Sequence, residues 1–349
     1  MKSLIKPLTK DLVIFVIIFI LISISLYILN SLSPEIFPQY YLYVGVSIVV
    51  FLVFCLLGFE IVKCFSTHLY VISIVMLLLT LIIGQVTRGT VRWIPIGGSA
   101  FQASEIVRPF LMLFYAKIVS ESKVNFKNIS TIILAGIVPV VLIAIQPSLG
   151  VSIITLFGLL AIFAAKFIKG KSIITLILFS LLAMPVAWFT MKPYQKDRIL
   201  VFFNYEKDPK GAGYNAIQSI ISVGSGGILG RGFKKGFQTQ LEYLPEKHTD
   251  FIFAGISEEM GFVGAFTVLL LLYLLFYRML RKAFKSNDEV YKLFTIGVVV
   301  VFLVETIVNV GMNVGILPIT GLPLPLVSAG GSSLLSSMIS IALVVSGVI

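Results

Sequence analysis

Residues 12–29 read LVIFVIIFILISISLYIL, eighteen positions without one charge. At 1.5 Å per helical residue the run reaches about 27 Å, close to the ~30 Å depth of a bilayer's hydrocarbon core. Similar runs recur down the chain. Lipid offers no partner for backbone N–H and C=O groups, so such runs cross it as helices rather than as a barrel. Lys2, Lys6 and Lys10 precede the first run, as they would in a signal peptide. The run exceeds the ~7–15 apolar residues of a signal core and lacks a small-residue cleavage site, so the expectation is a retained anchor.

The composition agrees. Hydrophobic residues make up 58% of the chain and charged ones 12%, with a mean hydropathy of +1.04, against roughly 25% charged in a soluble domain. The reading is an all-α, polytopic membrane protein, a single transmembrane domain over 1–349. Ten spans are expected near 12–30, 40–58, 68–86, 104–120, 129–146, 150–168, 172–191, 251–279, 290–312 and 332–348. Ser33-Pro34, Gln146-Pro147 and Gly170 mark boundaries. Cys55 and Cys64 fall in or beside an apolar segment and suit inert thiols better than a disulfide framework or a metal site.

Lysine and arginine give the orientation. With the N-terminus in the cytoplasm, the inside segments collect fifteen of them, while the short outside segments hold Arg88, Arg92 and Arg108. Both termini are therefore expected to be cytoplasmic. The segment 192–250, a large extracytoplasmic loop between spans seven and eight, carries nine basic residues. Long loops escape the positive-inside rule, so this cluster and the net charge of +11 point to topology and an anionic ligand rather than to nucleic acid. The run Gly224-Ser225-Gly226-Gly227-Ile228-Leu229 fails the dinucleotide fingerprint, because Leu229 takes the third glycine position, and no Walker motif is present. A flexible or partly re-entrant loop is expected there.

The candidate chemistry sits in residues 241–250, LEYLPEKHTD, directly before an apolar run beginning at Phe251. Asp250 either caps the coming helix or acts as a general base at the water–lipid boundary, where partial desolvation strengthens it as a base. Glu242 and Glu246 either flank that base, bind a divalent cation, or are solvated loop acids. His248 is a candidate to orient Asp250. Glu105 and Arg108, at i and i+3, form a structural ion pair or the polar floor of an outward cavity with Arg108 facing an anion. Glu305, Asn309 and Asn313, at i, i+4 and i+8, give the ninth span one polar face, suited to interhelical hydrogen bonds or a cavity wall. At least one of Glu258 and Glu259 must face protein or water. Lys192, Lys196 and Arg198 either attract anionic headgroups or clamp a diphosphate.

From about Arg88 onward these stretches resemble the SEDS family (shape, elongation, division and sporulation) of polytopic peptidoglycan polymerases. The resemblance rests on Arg92-Trp93-Ile94, Gln102-Ala103-Ser104-Glu105, Gln146-Pro147-Ser148-Leu149-Gly150, Lys192-Pro193-Tyr194-Gln195 and Gly211-Ala212-Gly213-Tyr214. It continues through Gln238-Thr239-Gln240, the run from Leu244 to Phe253, and Gly321-Leu322-Pro323-Leu324-Pro325. Gln238-Thr239-Gln240 is more like the RodA branch than the FtsW branch. The resemblance implies a glycosyltransferase that extends glycan strands from lipid II outside the cytoplasmic membrane and releases undecaprenyl diphosphate. It implies Asp250 as the essential aspartate, Glu242 as a supporting acid, Glu105 and Arg108 as the family's acid–base pair, and Trp93 among the supporting residues. A class B penicillin-binding protein is the implied transpeptidase partner within the elongation complex, and Mg²⁺ or Mn²⁺ is the expected cofactor, with no organic one. The family's usual Pro, Lys, Asp and Tyr are replaced here by Ala103, Arg108, Ser148 and Ala329. The rival readings are a lipid II flippase, a division-specific polymerase and a scaffold that only recruits other enzymes.

Overall fold

A backbone in lipid must pair with itself, and the computed structural model, which describes residues 11–87, 90–96, 99–122, 126–146, 148–167, 193–204, 208 and 211–347, pairs it in helices. In chain order these begin with α1 (Leu12–Leu32), α2 (Phe37–Leu57), α3 (Phe59–Cys64) and α4 (Ser66–Ile83). A small antiparallel sheet follows, β1 (Gln85–Thr87), β2 (Thr90–Ile96) and β3 (Ser99–Phe101), in the order β1-β2-β3. Then come α5 (Ala103–Ile106), α6 (Arg108–Glu121), α7 (Phe126–Ile145), α8 (Leu149–Phe167), α9 (Pro193–Phe203), α10 (Ala212–Ser225) and α11 (Phe237–Gln240). The last three are α12 (Ile252–Lys285), α13 (Glu289–Asn313) and α14 (Gly331–Ser346).

Among the described residues six helices are long and apolar enough to cross a membrane, namely α1, α2 with the turn before it, α4, α8, α12 and α13. Shorter apolar helices in α7 and α14 answer two more expected spans. The span expected at 104–120 is split into α5 and α6 at Val107, with Pro109 in the first turn of α6, where its missing N–H costs nothing. The span expected at 172–191 lies outside the described residues. The small sheet was not expected; it fills the connection between α4 and α5.

α14 lies along α2, and α13 packs against α8, α12 and α6, so α13 is the central post of the bundle. Gly158 and Gly297 let α8 and α13 approach closely: a β-carbon on Gly158 would stand 2.7 Å from Val301, and one on Gly297 would stand 2.7 Å from Ile162. Phe19, Leu42 and Ile82 stay exposed on the outer faces, as lipid-facing residues should.

Backbone groups freed inside the bundle find new partners. Pro139 interrupts α7 and releases the Ala135 carbonyl, to which Tyr70 Oη donates at 3.0 Å. α12 breaks at Gly261, whose φ is +66°. The glycine run, expected as a flexible or partly re-entrant loop, is fitted against this break. Arg231 and Gly232 donate to the Glu258 and Glu259 carbonyls at 2.9 and 3.0 Å, while Phe262 and Val263 donate back to Gly227 and Ile228 at 2.9 and 3.1 Å. Only glycine permits this approach, since a β-carbon at Gly230 would lie 2.2 Å from the Glu259 carbonyl oxygen.

Candidate active site

The segment between α9 and α12 holds the acidic stretch in a fixed shape. Glu258, fully buried one turn before the break in α12, accepts from the backbone amides of Gln238 and Thr239 at 2.9 and 3.1 Å and from Ser222 Oγ at 3.2 Å. Glu259 accepts from Ser31 and, at 3.1 Å, from Gln240 Nε2. Two acids that would be costly in lipid thus accept hydrogen bonds from the Gln238-Thr239-Gln240 turn, which they anchor, although Glu259 Oε2 is left buried without a partner among the described residues. The chain then turns at Glu242 and Glu246, whose φ values of +58° and +55° are left-handed. Glu242 is exposed at the tip of this loop. Glu246 accepts from Thr249 Oγ1 at 3.1 Å and lies 3.9 Å from His248 Nε2, so Glu246 is one carboxylate beside His248. Lys247 Nζ donates to the Thr239 carbonyl at 2.6 Å.

Asp250 comes at the end of this loop and is half-buried. The cap position of α12 belongs to Phe251, and the free amide of Ala254 is satisfied by Asn313 Oδ1 at 3.1 Å. Asn309 and Asn313 both donate to the Asp250 carbonyl oxygen at 3.0 Å. Ser328 Oγ donates to the Thr249 carbonyl at 2.7 Å, and the Ala329 amide to that of His248 at 2.9 Å. Loop 315–330 and α13 therefore grip both sides of the acidic stretch.

The Asp250 carboxylate faces Gly321. A β-carbon at Gly321 would lie 3.3 Å from Asp250 Oδ2 and 3.9 Å from Arg198 Nη1, so carboxylate and guanidinium both border the space beside a residue with no side chain. Arg198 projects from α9 and also donates, at a long 3.4 Å, to the Ile319 carbonyl. Beside it lies a small apolar pocket lined by Val201, Phe202, Met312, Leu317 and Ile319. Lys196 lies on α9 two residues earlier; side chains two apart on a helix do not share a face, so Lys196 and Arg198 diverge. Lys192 lies outside the described residues.

Glu105 and Arg108 belong to a second cluster. Arg108 Nη1 donates to Glu305 Oε1 at 2.6 Å, and Nη2 lies 3.0 Å from Glu105 Oε2 in an ion contact. All three are buried, at 2–3% exposure for Arg108 and Glu105 and 0% for Glu305. The spacing of Glu105 and Arg108 in sequence disclosed one arm of this triad; the other crosses 197 positions to α13. Arg108 is thus turned to two carboxylates inside the protein. One face of α13 carries both clusters, with Glu305 one turn from Asn309. The polar stripe read from the sequence is a hydrogen-bonding face. Trp93 sits in β2, half-buried, paired with Gln85 of β1.

Among the described residues no three of His, Cys, Asp and Glu gather as metal ligands would. Glu242 is exposed on this loop, and Glu246 accepts a hydrogen bond from Thr249.

The family profile for FtsW, RodA and SpoVE, described as a cell cycle protein, matches residues 4–347. The chain is 36% identical over 310 residues to the peptidoglycan glycosyltransferase MrdB of Escherichia coli strain K12, covering 87% of this chain and 83% of that one. It is 37% identical over 287 residues to a probable peptidoglycan glycosyltransferase FtsW of Buchnera aphidicola, covering 78% and 73%. Among solved structures it is similar to a chain from a peptidoglycan synthase complex described as coordinating polymerisation and crosslinking, with TM-score 0.82, 27% identity and 96% of both chains covered. It also shares the fold of the Thermus thermophilus rod shape determining protein RodA, with TM-score 0.72, 24% identity and coverage of 96% and 95%.

Proposed function

This chain belongs to the FtsW, RodA and SpoVE family of cell cycle proteins, and from that premise we propose that it is a peptidoglycan glycosyltransferase acting on lipid II. The observation that carries the chemistry is that the Asp250 carboxylate and the Arg198 guanidinium both approach the open space beside Gly321, with Arg198 also lining a small apolar pocket. Asp250 takes the proton from the 4-hydroxyl of the incoming lipid II sugar as that oxygen attacks the anomeric carbon of the growing strand. The bond from that carbon to the diphosphate breaks, undecaprenyl diphosphate departs with the electron pair, and the anomeric configuration inverts. Arg198 faces the charge that develops on the leaving group. Lys196 meets the diphosphate from a different direction, and Glu242 and His248 shape the loop around the base. The buried triad of Glu105, Arg108 and Glu305 serves the site through α13 rather than by touching substrate. Binding the two lipid tails in membrane grooves supplies orientation.

As a multi-pass membrane protein the chain would carry this site on the outer face of the cytoplasmic membrane, with both termini cytoplasmic. A class B penicillin-binding protein is the partner that would cross-link the strands, in keeping with the described coordination of polymerisation and crosslinking in the synthase complex whose chain it resembles, and cell elongation is the process served. We place Mg²⁺ or Mn²⁺ on the substrate diphosphate, where it would neutralise charge, rather than in a protein cage.

Gel analysis of lipid II polymerisation tests the reading. Asp250→Asn should make no strands while its thermal unfolding matches wild type, and near-normal synthesis by that variant would rule out the general-base role. A flippase has no need of a base and would tolerate the change. Equilibrium dialysis of substrate-free protein should find no stoichiometric Mn²⁺, and tight binding without substrate would move the metal onto the protein.

A further inference from the structure

Two side chains that do not point at the substrate site control the backbone that carries its base. Asn309 and Asn313 are one turn apart on α13 and both are fully buried. A side-chain amide has two N–H donors and one carbonyl acceptor, and here they join four elements. Asn309 Nδ2 donates to the carbonyls of Asp250 at 3.0 Å and Leu322 at 2.7 Å, tying the acidic loop to the loop that contains Gly321. Asn313 Nδ2 donates to the same Asp250 carbonyl at 3.0 Å and to the Asn309 carbonyl at 2.7 Å. Its Oδ1 accepts from the Ala254 amide at the start of α12 and from Ser219 Oγ of α10, each at 3.1 Å. The Asp250 carbonyl thus receives one amide on each of its lone pairs.

From this we infer that Asn309 and Asn313 are positioning residues for the transfer step, setting where the Asp250 carboxylate stands relative to Arg198. The inference rests on the general-base reading above. Asn309 holds Leu322, the residue after Gly321, so a single amide fixes both the base and the gap it faces. The grip comes from α13, the most enclosed post of the bundle. A catalytic group mounted on a loop is held there to the precision of a helix. Removing the donors leaves the carboxylate in place chemically but free to drift, and a misplacement of about 1 Å can cost a hundredfold in rate.

The test uses full-length protein, purified lipid II and steady-state kinetics. Asn309→Leu keeps the number and branching of the side-chain heavy atoms and deletes both donors; its kcat should fall about tenfold to a hundredfold while KM for lipid II stays within about twofold. Asn309→Gln restores donors on a longer arm and should recover part of that loss. Should Asn309→Leu fail to fold, Asn313→Ala carries the same expectation. The inference is overturned if the folded variants keep kcat within about twofold of wild type. It is also overturned if the loss only tracks the unfolded fraction and Asn309→Gln recovers nothing. An active Asp250→Asn would remove the base itself, whereas an inactive Asp250→Asn beside a fully active Asn309→Leu would remove only the positioning role.

Discussion

Arg108→Gln isolates the buried triad. Arg108 is 2% exposed between Glu105 at 3.0 Å and Glu305 at 2.6 Å. Taking the cation away leaves two carboxylates sealed from water with no compensating charge. Breaking a buried ion pair from one side costs about 3–5 kcal/mol. At the usual unfolding entropy per residue, that lowers the midpoint of thermal unfolding by about 5 °C. Glu305→Gln is milder, because an amide oxygen still accepts from Nη1 and Glu105 still balances the guanidinium. It exchanges a charged hydrogen bond for a neutral one, about 1–2 kcal/mol. Arg108→Lys falls between the two, since one ammonium cannot fork to two carboxylates. The decisive comparison is the triple variant Glu105→Gln, Arg108→Gln, Glu305→Gln, which removes every charge and should be more stable than Arg108→Gln alone. Thermal unfolding in detergent, followed by tryptophan or thiol-reactive fluorescence, reads the series. The reasoning fails if Arg108→Gln melts within about a degree of wild type, or if Glu305→Gln is the more damaging of the two.

Gly321→Ala should cut polymerisation about tenfold or more, because φ is +75° there and the added carbon would crowd Asp250 Oδ2 at 3.3 Å; an unchanged kcat would show that the gap is not used. At the N-terminal end of α13 Asp288 caps the helix and pairs with Lys63 at 2.7 Å. Burial works against its carboxylate, but the Lys63 ammonium and the amides of Tyr291 and Val290 prevail and hold its pKa below the ordinary carboxylate value. A lowered folded-state pKa stabilises at neutral pH, and that stabilisation is lost as pH falls through the folded value. Wild type should therefore melt above Asp288→Asn at pH 7 and converge with it in strong acid; both groups are about a quarter exposed, so the gap should be below about 1 kcal/mol.

Much of this protein could be read from one dimension. Uncharged runs such as 12–29 dictate spanning helices because hydrocarbon forbids any other open solution, and that constraint is local. The same locality singled out Asp250, an acid beside the start of an apolar run, and paired Glu105 with Arg108 at i and i+3. Folding settled what depends on partners far apart in the chain. Glu305 completes the triad from 197 positions away, Arg198 and Asp250 both border the space beside Gly321, and the glycine run expected as a flexible or partly re-entrant loop closes the break in α12. A helical spacing shows which side chains share a face, but not what that face will meet. The polar stripe of α13 was therefore visible in the sequence, and its grip on the Asp250 backbone was not. Buried amides take whatever carbonyls the packed neighbours bring, and only the assembled bundle brings them.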